Sequence, residues 1–321
     1  MSAGILENDQ MFSVKERPWH GLGVVVEKAP TIEEAIELAN LGWEVQKTDI
    51  QTLDGTQIPD KKAMMRMDTK QCLGIVGNGY NVLQNKEAFK FFEPFIDNEL
   101  ATLETAGSLF NGKRVFILAK IAGEDMVIDE KTNDRVEKYI LLSNSHDGSQ
   151  AVKVGYCPIR VVCNNTLTAA ESSSNSQLIR VYHKSNVVQT LQEIQETMDL
   201  VNRQFITTEE KYKQLAQMNV NTGDLQKYVK AVFSKKKLEQ MYETPSEHST
   251  EEVEKFRKKL MEHVEEVFEK ELVHNRWTMY NAVNHYLNHG RSRNLQSTYN
   301  SLWFGDAKRL DKKALELAFN I

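Results

Sequence analysis

The sequence is poor in cysteine, has no long apolar run and shows no excess of basic charge. Only Cys72, Cys157 and Cys163 occur among 321 residues. An odd number without framework spacing excludes a disulfide-stapled secreted domain and points to reduced thiols in a cytoplasmic protein. No apolar stretch approaches the roughly 20 residues that cross a bilayer, so no membrane association is expected. The longest stretches, 115–121 and 139–142, have the length of buried strands. The start, MSAGILENDQMFSV, lacks a basic residue ahead of an apolar core and does not read as a secretory signal. A net charge of −5 excludes a generally basic, histone-like binder but leaves room for a local basic patch. The remaining composition, 40% hydrophobic and 26% charged, is that of a folded globular chain.

Catalytic fingerprints are also missing. Gly21-Leu22-Gly23 and Gly77-Asn78-Gly79 fall short of a Gly-x-Gly-x-x-Gly phosphate cradle, and no Gly-x-x-x-x-Gly-Lys-Ser/Thr occurs. That excludes energy-coupled nucleotide hydrolysis of the familiar kind. No serine sits in Gly-x-Ser-x-Gly. Cys157 and Cys163 are too widely spaced for a zinc pair, and with His183 they still lack a fourth ligand, so buried thiols are the expectation. His285 and His289 share a helical face, but the glutamate of a His-Glu-x-x-His site is absent. No cofactor and no metal are expected.

What is present changes character near residue 190. Upstream, strand-like runs alternate with turns. Thr31 and Glu34 form a capping box ahead of an amphipathic helix. Strands are expected near 43–53, 63–68, 72–76, 102–106, 114–121, 138–143, 151–156 and 178–183, with Asn111-Gly112 as a hairpin turn. A helix is expected from Asn85 through Ile96, kinked or ended by Pro94. Ile159–Cys163 continues the sheet, a short helix follows from Asn164, and Glu171–Gln177 reads as a serine-rich loop. Downstream of Asn186, apolar residues recur at helical spacing, with a charged loop over 235–249 and helices near 222–232, 250–268, 277–289 and 311–318. The expected fold is α+β: a mixed, mostly antiparallel sheet with helices on one face (residues 1–188), then a helical C-terminal region (189–321).

Two groups of residues invite function. The first is the polar loop holding Asn144, Ser145, His146, Asp147 and Ser149. His146 suits a general base or a metal ligand oriented by Asp147, and the loop's amides and hydroxyls suit holding a phosphate. The same side chains equally suit a structural turn that satisfies its own backbone. The second is a basic and aromatic set: Lys113, Arg114, Lys153, Tyr156, Arg160, Arg180, Tyr182 and Lys184. Cations interleaved with tyrosines are what single-stranded nucleic acid needs, since phosphates meet the charges and bases stack on the rings. An ordinary solvated strand face would look similar. Lys235–Lys237 and Arg257–Lys259 sit among glutamates and read as solvated helix surface.

Several motifs together resemble a phage- and plasmid-encoded family catalogued as domain of unknown function 932. They are 18–23 (PWHGLG), 79–85 (GYNVLQN), 107–116 (GSLFNGKRVF), 144–149 (NSHDGS), 160–167 (RVVCNNTL), 280–284 (YNAVN) and 303–305 (WFG). The resemblance carries no active site with it. Its implied setting, mobile elements near replication and recombination functions, points to a cytoplasmic partner of nucleic acid, with single-stranded DNA first and homo-oligomers along the strand. The alternative is a non-catalytic protein that binds and inhibits a host protein. An enzyme built around His146 and Asp147 comes last.

Overall fold

A computed structural model describes residues 9–15, 23–160, 178–184, 186–197, 202–233, 250–290 and 306–320. The fold is α+β, with a mixed, largely antiparallel sheet and C-terminal helices. In chain order the strands are β1 (Met11–Val14), β2 (Val24–Val26), β3 (Val45–Gln51), β4 (Gln57–Arg66), β5 (Cys72–Gly77) and β6 (Ala101–Leu109). They continue as β7 (Arg114–Ile121), β8 (Met126–Asp129), β9 (Asp134–Ser145), β10 (Val152–Arg160) and β11 (Ile179–Val181). The helices are α1 (Ile32–Leu38), α2 (Asn85–Lys90), α3 (Glu93–Asp97), α4 (Val187–Thr197), α5 (Asn202–Ala216), α6 (Thr222–Val232), α7 (Thr250–Glu269), α8 (Arg276–His285) and α9 (Asp306–Asn320). The motif over 18–22, the helix and loop expected over 164–177, Cys163, the loop over 235–249 and the motif over 303–305 lie outside the described residues.

The chain divides into two compact units, one from residues 1–124, 138–157 and 177–202, the other from 125–137, 158–176 and 203–321. In the first, the main sheet runs β11-β10-β9-β7-β6-β1-β2, and a second sheet runs β3-β4-β5. Only β1 and β2 pair in parallel among the registered pairs; Phe12 faces Val24 there. Val115, Ile117, Ile140, Leu142, Val152, Val154 and Val181 turn one face of the main sheet toward Ala35, Phe89, Phe92 and Leu191 of the helical segments. That alternation is why the strands read clearly in the sequence.

Thr31 caps α1 as expected: its hydroxyl accepts from the Glu34 amide, and the Glu34 carboxylate accepts from the Thr31 amide. The single helix expected over 85–96 is instead two short helices, α2 and α3, broken at Phe91-Phe92. Pro94 sits in the first turn of α3, where its missing N–H costs nothing. Gln84, not Asn85, takes the N-cap of α2, with its amide donating to Glu87. The N-terminal strand β1 was not anticipated. It pairs with β6 from ninety residues away, Phe12 against Ala106.

The hairpin at Asn111-Gly112 is present but wider than a two-residue turn. Phe110, Asn111 and Gly112 all adopt positive φ, at 58°, 58° and 83°. Two of these are not glycine, so the turn needs outside support. The buried Asp9 carboxylate supplies it, accepting from the Asn111 and Gly112 amides and from the Ser108 hydroxyl, each at 2.7 Å.

The second unit packs helices around Leu225, Tyr228, Val264, Phe268, Trp277, Tyr280 and Leu310, all buried. Asn221 and Asn275 cap α6 and α8. The helix expected to reach His289 ends its α-helical turns at His285 and continues as a π turn, Tyr286–Gly290. Tyr280 donates to Asp311 at 2.9 Å and Asn284 donates to the same carboxylate oxygen at 2.7 Å. This ties α8 to α9 and gives the YNAVN motif a packing role. Strand β8 and the first residues of β9, up to Glu137, belong to this unit, and Asp134 accepts from the Trp277 indole at 2.9 Å. Among the described residues no helix is long and apolar enough to cross a membrane.

Candidate functional site

Two motifs far apart in sequence close on one another in the first unit. Residues 79–85 leave β5 and enter α2; residues 144–149 leave the end of β9. Tyr80 donates its hydroxyl to the Ser145 carbonyl at 2.5 Å, and Asn144 Nδ2 donates to the Leu83 carbonyl at 3.1 Å. Asn85 Nδ2 donates to the carbonyls of Leu41 and Trp43, which leaves its Oδ1 as acceptor for His146 Nε2 at 2.9 Å. That orientation fixes the neutral tautomer of His146 with its proton on Nε2.

His146 is fully buried. Its ring lies edge-on to Trp43, with centroids 5.3 Å apart. Desolvation first, then the neighbouring His183 and Arg66, lowers its pKa to about 3, outweighing the opposing pull of Asp147. The imidazole is therefore neutral at ordinary pH. Trp43 carries the Arg66 guanidinium on its other contact, 4.4 Å from the ring centroid, and Arg66 is itself buried and paired with Asp68 at 2.8 Å. Gly112 meets this stack from the hairpin: a Cβ there would come within 3.1 Å of both Arg66 and Trp43.

The loop spends its polar groups on itself. Asp147 Oδ1 accepts from the Ser145 hydroxyl at 2.8 Å and from the Ser149 amide at 2.9 Å, while the Gln150 amide donates to Ser145 Oγ at 3.3 Å. The His146 amide donates to the Lys113 carbonyl at 2.7 Å, which joins the 107–116 motif to the same assembly. Gly74 lets the loop approach: a Cβ there would stand 2.7 Å from Asp147 Cα. Asn144, Ser145, His146, Asp147 and Ser149 are thus brought together, as a docked turn with a buried histidine.

The basic and aromatic set is not brought to one place. Lys113 and Arg114 are half-buried at the hairpin; the Arg114 guanidinium lies 5.0 Å from the Phe110 ring centroid. Lys153 sits opposite Arg180 across β10 and β11 but is itself buried, with partners within the chain. Tyr156 is half-buried against the core. Arg160 ends β10, and its side chain is not among those described. Arg180, Tyr182 and Lys184 are exposed at the β11 edge of the main sheet, with Tyr182 at 64%.

His183 joins this edge to the motif assembly. Its ring stacks on Tyr80 with centroids 4.3 Å apart, its Nδ1 donates to the Asn81 carbonyl at 3.0 Å, and its carbonyl accepts from the Asn81 amide. Burial lowers the His183 pKa and raises that of the Tyr80 hydroxyl. Trp43, Arg66, Tyr80, Asn85 and Asp9 were not singled out from the sequence. For Tyr80 and Asn85 the signal was their place in the 79–85 motif; for Asp9 and Arg66 there was none.

Cys157, buried, and Cys72, exposed, are both outside any disulfide. His285 Nδ1 pairs with His263 Nε2 at 3.1 Å; the side chain of His289 is not among those described. Among the described residues no three His, Cys, Asp or Glu side chains gather as metal ligands would.

No curated protein and no solved structure matches the chain. A family model described as a domain of unknown function, DUF932, matches residues 72–306, most of the chain and the whole of the docked-motif assembly from Cys72 onward. The chain belongs to the DUF932 family.

Proposed function

We propose that the protein binds single-stranded nucleic acid, DNA first, at the β11 edge of its main sheet. The observation that carries this reading is Tyr182, an exposed aromatic ring with exposed cations two residues to either side. Arg180 lies within β11, and the chain turns just after Tyr182, the Lys184 amide donating to the Tyr182 carbonyl at 2.7 Å, so the three exposed side chains stand around one turn at the strand's end. Arg180 and Lys184 would take phosphates while a base stacks on Tyr182. The pinned His183 between them would hold the segment in one conformation, so little ordering entropy opposes binding. Mobile-element relatives suggested by the motifs make a strand-binding or annealing role in replication or recombination, in the cytoplasm of a host cell, the natural setting.

The motif assembly around His146 serves this reading as scaffold. A neutral imidazole that is fully buried and bonded to Asn85 is placed to hold two motifs together, not to meet a substrate. The alternative, a non-catalytic protein-binding factor, is favoured by one separate feature: exposed apolar side chains on the second sheet, Ile58 and Ile75, and in its β3–β4 turn, Leu53. Fluorescence anisotropy of a labelled single strand across a salt series separates the two. Binding that weakens steeply with salt supports the nucleic-acid reading. No binding at low salt, with one host protein retained from nuclease-treated lysate, supports the alternative.

A further inference from the structure

Two Asn-Gly pairs occur in the sequence, Asn78-Gly79 and Asn111-Gly112. Asparagine before glycine is prone to close a ring onto the next backbone nitrogen, because glycine has no side chain to shield that nitrogen. The fold treats the two pairs in opposite ways.

Asn111-Gly112 is held shut. The Gly112 amide, the nucleophile of such a closure, donates to the Asp9 carboxylate at 2.7 Å, and a negative charge there opposes loss of its proton. The Asn111 amide is held by the same carboxylate. Asn111 Oδ1, the oxygen on which charge would develop, is buried away from water.

Asn78-Gly79 is open. Gly77, Asn78 and Gly79 are all exposed, and a Cβ on Gly79 would meet nothing within 4 Å. The Gly79 amide has no acceptor among the described residues. One exposed turn bond, from the Tyr80 amide to the Gly77 carbonyl at 3.1 Å, is all that must open for the side chain to swing over the Gly79 nitrogen. Yet Asn78 has work in the fold. Its Nδ2 donates to the Pro59 carbonyl at 2.9 Å, and its carbonyl accepts from the Lys47 ammonium at 3.2 Å. These bonds fasten the base of the β3–β4 hairpin to the end of β5.

We propose that Asn78 is a site of spontaneous deamidation and that its conversion unfastens the hairpin base. Hydroxide removes the Gly79 amide proton, and the nitrogen lone pair forms a bond to Asn78 Cγ. The Cγ–Nδ2 bond breaks, and Nδ2 leaves as ammonia after taking a proton from water. A second water adds across one of the two carbonyl–nitrogen bonds of the ring, which opens to aspartate or isoaspartate. Nothing is oxidised or reduced. The product carries a carboxylate where Nδ2 stood, so the Pro59 carbonyl loses its donor and faces a negative oxygen. Isoaspartate also lengthens the backbone by one methylene inside the turn.

The test is to age the full chain at mildly alkaline pH, folded and in guanidinium, and to map peptides by mass spectrometry; each conversion adds about 1 Da. In guanidinium the two asparagines should convert at similar rates. In the folded chain Asn78 should convert roughly tenfold or more faster than Asn111. Hydrogen exchange over residues 57–62 should then be faster in the converted chain than in the fresh one. Equal rates at Asn78 and Asn111 in the folded chain, or an Asn78 that stays intact while the denatured chain converts, would overturn the site. Unchanged exchange over residues 57–62 after conversion would overturn the unfastening.

Discussion

His146 Nε2 lies 2.9 Å from Asn85 Oδ1, although the two residues are 61 positions apart in the chain. This bond closes the GYNVLQN motif onto the NSHDGS motif. It is buried at both ends, so each partner depends on the other for its only good alternative to water.

Cutting that bond should cost stability. Asn85→Ala removes the acceptor of His146 and both donors to Leu41 and Trp43. We expect a loss of about 2–3 kcal/mol, the usual penalty for stranding buried polar groups. Urea denaturation followed by intrinsic fluorescence measures it. A change below about 0.5 kcal/mol, the scatter of surface substitutions, would show that the two motifs do not support each other.

Acid should weaken the fold through the same residue. The pKa of His146 falls from 6.5 in the unfolded chain to about 3 in the fold. Between those values the unfolded chain binds the extra proton, so stability is full above about pH 6.5 and declines as pH falls toward 3. At pH 5 the loss amounts to about 2 kcal/mol from this one group. His183, also lowered by burial, adds in the same direction. Denaturation midpoints at neutral pH and at pH 5 should diverge less in His146→Gln than in wild type. Equal divergence would assign the acid sensitivity elsewhere.

The close approach at Gly74 gives a steric test. An alanine Cβ would stand 2.7 Å from Asp147 Cα and 2.8 Å from the Asp147 carbonyl oxygen, both backbone atoms that cannot swing aside. Gly74→Ala should therefore lower the melting temperature and cost roughly 1–3 kcal/mol, as overpacking does. Gly77→Ala, three residues on and in open space, is the control and should change little. Equal effects at both positions would remove the steric argument.

The hairpin tip depends on a residue a hundred positions away. Asp9→Ala removes the carboxylate that holds three donors around Phe110, Asn111 and Gly112. With two non-glycine residues in the left-handed region, the turn has no inexpensive alternative partner. A loss of about 2–4 kcal/mol is expected, because hydrogen bonds to a charged acceptor are the stronger kind. Hydrogen exchange of the Asn111 and Gly112 amides reads it directly: protection should vanish in the variant, and retained protection would contradict the assignment.

How much of this was legible beforehand depended on whether the signal was local. Thr31 and Glu34 announced α1 because a capping box is written within four residues. Asn111-Gly112 announced a hairpin for the same reason, though its extra width rests on Asp9, which no local pattern connects to it. The break between α2 and α3 was misplaced because Phe89, Phe92 and Phe95 keep a helical period straight through it. β1 is buried at every position, so it lacks the alternation that marks a half-exposed strand. In the candidate site, the sequence marked the 144–149 loop but not its partners. Trp43, Arg66 and Asn85 reach His146 only through tertiary contact. Lys153 and Arg180 looked alike as strand cations; depth in the sheet, one buried and one at the edge, is what separates them.

The central claim, nucleic-acid binding at the β11 edge, is tested most directly at Tyr182. Anisotropy of a labelled single strand should be compared for wild type, Tyr182→Ala and Tyr182→Phe at low salt. Tyr182 is exposed, so its replacement leaves the core intact, and circular dichroism checks the fold. Loss of a stacking ring should weaken binding by about 1–3 kcal/mol in Tyr182→Ala, with recovery in Tyr182→Phe, which keeps the ring. Wild-type and Tyr182→Ala curves that coincide, or a wild type that fails to bind, would contradict it.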